Sequence, residues 1–201
     1  MSSTYRRITQ ANITDAEMHI NYALELLDLY SGNPLLSNPE LDLGDTARRV
    51  VKMWLELTSG VRESTPDHIT AFVSPHEQML ILRDIDFVSL CSHHLVPFRG
   101  KAHIAYIPNG KVVGISKPAR IVDYFAARPQ TQENLTTQIA DYLMKKLEPL
   151  GVMIVISAEH ACISTRGAKK PGSSFVTSAV RGLFLEKPDV KAEFLDLLRL
   201  R

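Results

Sequence analysis

KAHIAYIPNGKVVGISKPARIVDYF, residues 101–125, decides the fold class of this chain. Ala102, Ile104 and Tyr106 alternate with Lys101, His103 and Ala105, the period-two pattern of a half-buried strand. Pro108, Asn109 and Gly110 are turn chemistry, so Lys111 to Ile115 is expected to fold back on the first run as a hairpin. Ile121, Val122, Tyr124 and Phe125 then place an apolar face on a helix. Downstream, Leu135, Ile139, Tyr142, Leu143 and Leu147 repeat at helical spacing, with Pro129 suited to a helix start. Val152 to Ile156 is a short apolar run expected as a buried strand, Phe175 to Leu185 as another, and Asp189 to Leu200 as a helix. Strands in pairs with helices between the pairs predict an α+β fold around an antiparallel sheet.

Upstream of the quoted stretch, Met79–Leu82 and Asp86–Leu90 are expected as extended segments, and residues 61–78, with Pro66 and Pro75, as irregular chain. Further back the periodicity is helical. Val50, Met53, Trp54 and Leu57 share a face, with Asp45 or Thr46 as cap and Ser59-Gly60 as stop. Thr14 and Glu17 have capping-box spacing ahead of Met18, Tyr22, Leu26 and Leu29, and Ser31-Gly32-Asn33-Pro34 ends that helix. The expected division is a helical N-terminal region, 1–65, and a larger α+β region, 66–201.

Composition removes several classes of function. Lys and Arg number 23 against 22 Asp and Glu, a net charge of +1, which excludes a generally basic nucleic-acid binder. No apolar run approaches the roughly 20 residues that span a bilayer. Met1 to Arg7 is not followed by the apolar stretch of a secretory signal. Two cysteines make no disulfide scaffold. A cytoplasmic globular protein is expected, with no nucleic-acid or membrane partner.

Both cysteines stand beside histidines, in Cys91-Ser92-His93-His94 and His160-Ala161-Cys162. Cys91, His94 and Cys162 offer two thiolates and one imidazole, a donor set that suits Zn²⁺ with a fourth position open. Spacing alone leaves the other reading in place, two small buried hydrophobes near histidines by chance. His93 and His160, adjacent to these positions, are candidates for proton transfer. Ser116, Lys117 and Arg120 open a helix, where free N–H groups and cations favour phosphate. Arg166 follows Cys162, and Arg49 and Lys52 share a helix face. Gln132 and Glu133 lie at the start of the long helix, where the dipole favours a carboxylate and where guanine N–H groups could also be accepted. No Walker-type loop or dinucleotide fingerprint is present.

At this point the sequence resembles the GTP cyclohydrolase I family. The matching stretches are LCSHHLVPFRGKAHIAYIPNGKVVGISKPARIV, RPQTQENLTTQI, EHACISTRG and TSAVRGLF, with TARRVVKMW a looser match. The resemblance implies a T-fold (tunnelling fold) subunit, an antiparallel sheet with two helices on one face preceded by N-terminal helices. It implies a homodecamer of two pentameric rings with active sites between subunits. The reaction it implies takes GTP and water to 7,8-dihydroneopterin triphosphate and formate, the step from which pterin and tetrahydrofolate synthesis begin. Zn²⁺ would be held by Cys91, His94 and Cys162. His160 would protonate the ring nitrogen as the imidazole ring opens, with His93 and Ser116 near the ribose. Gln132 and Glu133 would read guanine. Lys117, Arg120 and Arg166 would contact the triphosphate, joined by Arg49 and Lys52 from another subunit. The chain departs from the family pattern at Ser92, where glutamate is usual, at Thr131, where an aliphatic residue is usual, and at Ala47, where proline is usual. Two other readings remain: a non-catalytic zinc-stabilised interaction module, and another pterin or deazapurine enzyme on the same fold.

Overall fold

A computed structural model describes residues 8–26, 43–61 and 70–199. The chain forms two compact units, residues 1–62 and 63–201. The first holds helices α1 (Gln10–Leu26) and α2 (Leu43–Leu57), which pack on each other, and a 3-10 turn (Ser59–Val61). The cap of α1 lies earlier than the expected Thr14/Glu17 box. The Thr9 N–H donates to Asn12 Oδ1 at 3.1 Å and the Asn12 N–H to Thr9 Oγ1 at 3.3 Å, a reciprocal pair that starts the helix at Gln10. Met18, Tyr22 and Leu26 stay exposed, and no residue of α1 is buried. The expected stop of this helix at 30–34 lies outside the described residues. The expected division at residue 65 falls in 62–69, also outside them.

The second unit is built on strands β1 (Ala71–Val73), β2 (Leu80–Cys91), β3 (Pro97–Ile107), β4 (Lys111–Val113), β5 (Pro129–Gln130), β6 (Gly151–His160) and β7 (Phe175–Gly182). Helices α3 (Ser116–Ala126) and α4 (Gln132–Leu147) are long; α5 (Ala161–Ser164) and α6 (Leu183–Glu186) are single turns, and α7 (Pro188–Leu198) closes the described chain. The main sheet has the order β5-β2-β3-β6-β7, antiparallel except for the short parallel β2–β5 pair. This is the α+β arrangement expected for a T-fold.

The quoted stretch folds differently from the hairpin expected of it. β3 is paired along both edges, by β2 and by β6, so no edge remains for β4. β4 pairs instead with β1, a strand within the stretch expected to be irregular. Its link to β3 is a side chain: the Val113 N–H donates to the Tyr106 hydroxyl at 3.2 Å. The two extended segments expected before it form one strand, β2, whose register shifts between Leu82 and Ile85 at a bulge where Asp84 takes φ 59°. Pro129 starts no helix; it lies in β5, and Thr131 caps α4 by accepting from the Asn134 N–H at 3.3 Å. That use accounts for a threonine where the family has an aliphatic residue. The last expected strand is cut short at Gly182, whose φ of 57° and approach to the Leu150 carbonyl leave no room for a Cβ.

Strand alternation creates two cores. Phe87, Phe98, Ala102, Ile104, Ile154 and Ile156 face α3 and α4, meeting Ile121, Phe125, Leu135 and Leu143. The intervening Ala105, Ile107 and Met153 face the other way and are covered by Phe184 and Phe194 from α6 and α7. Each fully buried large apolar side chain contributes about 1.5–3 kcal/mol. The sheet is therefore a stiff platform, and its two ends carry the functional side chains.

Candidate active site

One end of the sheet gathers the sulfur ligands. β2 ends at Cys91, and the chain reverses at once. The Cys91 N–H donates to the Val96 carbonyl at 2.9 Å, the Leu95 N–H donates to the Cys91 carbonyl at 2.8 Å, and Leu95 adopts φ 52°. On the far side of β3, β6 ends at His160, in register with Phe98, and α5 turns Cys162 inward. One potential ligand atom each from Cys91, Cys162 and His160 then lies within 4.8 Å of the other two.

The imidazole drawn into this group belongs to His160. The expected ligand His94 stands just outside it, on the exposed turn, with Nδ1 3.9 Å from Cys91 Sγ. The difference has a physical cause. The His160 ring is stacked on Phe98 at 4.6 Å and 2°, meets Phe175 edge-on at 6.0 Å, and bonds through Nε2 to Gln132 Oε1 at 2.9 Å. Nothing comparable holds His94 or its exposed neighbour His93, whose ring lies edge-on to it at 6.2 Å.

The donor set fits a zinc ion. Burial pushes the Cys162 thiol pKa up, and the facing Cys91 pushes it further, while Arg166 pulls it back down. Two thiols crowded together in this way resist becoming two thiolates, and a dication between them removes that resistance. Burial also lowers the His160 pKa, against the pull of Glu133 upward. Both effects place Arg166 and Glu133 at this end of the sheet.

Gln132 belongs to the interior and not to an open guanine pocket. It is 1% exposed, and its amide nitrogen lies 3.0 Å from the Ile156 carbonyl, 2.9 Å from the Phe175 carbonyl and 3.0 Å from Thr177 Oγ1. Thr177 and Thr136 hydroxyls meet at 2.6 Å, and Thr136 donates to the Gln132 carbonyl at 2.7 Å. The expectation that Gln132 reads guanine beside Glu133 is corrected on this ground; Glu133, one residue on, is exposed. Sequence reasoning missed Phe98, Thr136, Phe175 and Thr177. Only Thr136, one helical turn from Gln132, carried a local signal.

The other end of the sheet holds the helix-start cations. Ser116, Lys117 and Arg120 lie on the first turns of α3, whose N-cap, Ile115, makes no side-chain cap. Ile115 and Pro118 line an apolar pocket of about 200 Å³ with Leu80, Ile104, Tyr106 and Val113. Phe98 beside His160 and Tyr106 beside this pocket are eight positions apart on β3, roughly 26 Å at about 3.3 Å per residue. The structure therefore does not bring Ser116, Lys117 and Arg120 to the sulfur group of their own chain. In the first unit, Arg49 pairs with Asp45 at 3.2 Å and Lys52 with Glu56 at 4.0 Å, all exposed.

Residues 36–199 match the GTP cyclohydrolase I family. The chain belongs to that family. A protein named GTP cyclohydrolase 1 from Pelotomaculum thermopropionicum is 53% identical over 165 residues, 81% of this chain and 88% of that one. The GTP cyclohydrolase 1 of Carboxydothermus hydrogenoformans is 51% identical over 158 residues, 78% of this chain and 82% of that one. That of Brevibacillus brevis is 50% identical over 157 residues, 77% and 84% of the two chains. Among solved structures, the apo crystal structure of the archaeosine synthase QueF-Like aligns over 54% of this chain and 96% of its own, at 20% identity and a TM-score of 0.43. Within the family frame, the paired thiols and His160 make the sulfur end of the sheet the chemical centre. Among the described residues no helix is long and apolar enough to cross a membrane.

Proposed function

We propose that this chain is a zinc-dependent GTP cyclohydrolase I, hydrolysing the imidazole ring of GTP, releasing formate and yielding 7,8-dihydroneopterin triphosphate in the cytoplasm. The observation that carries the reading is the meeting of two thiols and the His160 imidazole within 4.8 Å in a chain of this family. Cys91, Cys162 and His94 would hold the zinc, His94 by turning from its exposed position 3.9 Å from the Cys91 sulfur. Zinc, when bound there, supplies activation of water at neutral pH. His160, fixed by its stacking and its hydrogen bond, exchanges a proton with the ring nitrogen released as the five-membered ring opens. Glu133 accepts from the amino and ring N–H groups of guanine. Arg166 meets the triphosphate from the sulfur end. His93 and Ser116 assist proton transfers at the ribose.

Two copies are needed to complete this site. Lys117, Arg120 and Ser116 sit at the opposite end of the strands from Cys91 and His160, so the cation end of one subunit must face the sulfur end of the next. A head-to-tail interface of that kind closes into a ring, which supports the homodecamer of two pentamers. Arg49 and Lys52 join the triphosphate contacts from a neighbouring subunit.

The test is pterin formation from GTP, read by fluorescence after oxidation, with and without a zinc chelator. Chelator-sensitive turnover is expected. A second reading rests on the place of His160 in the sulfur group: Cys91, His94, His160 and Cys162 together would close a structural four-ligand site. Zinc-loaded, assembled protein that forms no pterin, and that loses zinc when His160 is replaced, would establish that reading instead.

A further inference from the structure

We propose that Gln132 is a positioning residue that fixes the neutral tautomer of His160, leaving Nδ1 as the nitrogen that takes up and gives back protons. The argument runs along one chain of hydrogen bonds. The amide nitrogen of Gln132 lies 3.0 Å and 2.9 Å from the carbonyls of Ile156 and Phe175. A backbone carbonyl can only accept, so the atom facing both must be the NH₂ group, and the opposite atom of the amide must be the oxygen. That oxygen is 2.9 Å from His160 Nε2 and can only accept. His160 Nε2 therefore carries the hydrogen, and in the neutral ring the lone pair is on Nδ1.

The remaining contacts agree with this direction. Thr136 spends its hydroxyl hydrogen on the Gln132 carbonyl at 2.7 Å, so its oxygen accepts from Thr177, 2.6 Å away. The Thr177 oxygen is then an acceptor for the same Gln132 NH₂ at 3.0 Å. Every member donates or accepts in one consistent sense, anchored on α4, β6 and β7. Flipping the Gln132 amide would set its oxygen against two carbonyl oxygens, so the anchor is one-way. Phe98 stacked on the imidazole and Phe175 against its edge prevent the ring from turning over to offer the other nitrogen.

The consequence for the reaction rests on the reading of His160 given above. The proton lost by the attacking water passes to Nδ1, making an imidazolium whose Nε2–H stays on Gln132. The same proton then leaves Nδ1 for the purine nitrogen released as its bond to carbon breaks. One atom serves both transfers, and no ring flip intervenes.

Two measurements test this. The first uses zinc-loaded protein labelled with ¹⁵N-histidine, with the His160 resonances identified by their loss in His160→Ala. A pyrrole-type shift at Nε2 and a pyridine-type or metal-type shift at Nδ1 are expected. A hydrogen on Nδ1 in the neutral ring overturns the proposal, whatever the protein does with GTP. The second is Gln132→Met, similar in volume and unable to hydrogen-bond. It is expected to lower kcat at least roughly tenfold, with the KM for GTP within about twofold of wild type and zinc content unchanged. A raised KM at unchanged kcat would return Gln132 to guanine binding and sink the inference. Should Gln132→Met fail to fold, the wild-type spectrum decides alone. Absent GTP turnover in wild-type protein would defeat the functional reading while leaving the tautomer measurable.

Discussion

The two ends of the sheet are built on opposite plans. At the sulfur end, Cys91 is buried, His160 is held on three sides, and Gln132 is locked by four partners. At the cation end, Ser116 and Arg120 are exposed on a helix start without a side-chain cap. The contrast follows from the ranges of the forces involved. Proton transfer and metal ligation tolerate errors of a fraction of an ångström, so their groups are fixed by packing and second contacts. Attraction between cations and a triphosphate falls off slowly with distance and tolerates flexible side chains, so those groups can remain on the surface and be brought in by a neighbouring subunit.

The sharpest way to break this comparison is complementation. Cys162→Ala should lose zinc and activity together, with activity falling by about 10³-fold or more. Lys117→Ala combined with Arg120→Ala should be strongly impaired with zinc retained. Dissociating and reassembling an equal mixture of these two defective chains should restore activity to about a quarter of wild-type sites, because only a sulfur end from one chain meeting a cation end from the other is intact. No recovery from a mixture shown to have reassembled would mean that each chain serves its own site.

A smaller effect is expected from His160→Ala, about 10²–10⁴-fold in kcat with zinc still bound by metal analysis. Wild-type kcat would remove His160 from proton transfer. Single Lys117→Ala or Arg120→Ala should raise the KM for GTP about tenfold or more, as a lost charge-assisted contact does, and leave zinc content alone. A fall in kcat with unchanged KM would place these cations at the reacting centre.

The smallest expected effect lies on the open face of the sheet, away from both ends. His103 Nδ1 accepts from the Asp84 N–H at 3.2 Å, at the bulge of β2. Burial lowers the His103 pKa, Asp84 opposes this, and Lys101 and Arg83 add to it. The unfolded chain then binds a proton more readily than the folded one. The contribution of neutral His103 is fully present above the ordinary imidazole pKa and is lost as pH falls through the lowered value. His103→Gln, which keeps an acceptor but does not titrate, should lose less stability than wild type in denaturant titrations between about pH 7.5 and pH 5.5. Equal losses would show that the imidazole is not coupled to folding.

Legibility in the sequence varied with the range of the interactions. The alternation in Ala102, Ile104 and Tyr106 correctly marked a strand, because which face a side chain takes is settled by local geometry. The partner of Lys111–Val113 was not legible, because it depended on both edges of β3 being already filled, by chain far away in sequence. The cysteines and histidines announced a metal-type site through their chemistry. That His160 is the imidazole gathered with the two sulfurs could not be read from them, since it depends on Phe98, Phe175 and Gln132 arriving from three other elements. Gln132 next to Glu133 looked like a pair with one task, yet consecutive residues on a helix point about 100° apart, and one is buried while the other faces solvent.

The sequence by itself determined the family, the α+β class, the sulfur and imidazole chemistry and the cations available for a triphosphate, because these reside in residue types and short periodicities. Only the tertiary structure decided that Gln132 serves His160, that β4 pairs with β1, and that the cations stand a strand's length from the sulfur group. Those outcomes depend on which surfaces are already occupied when distant segments meet, and no local pattern of residues encodes that.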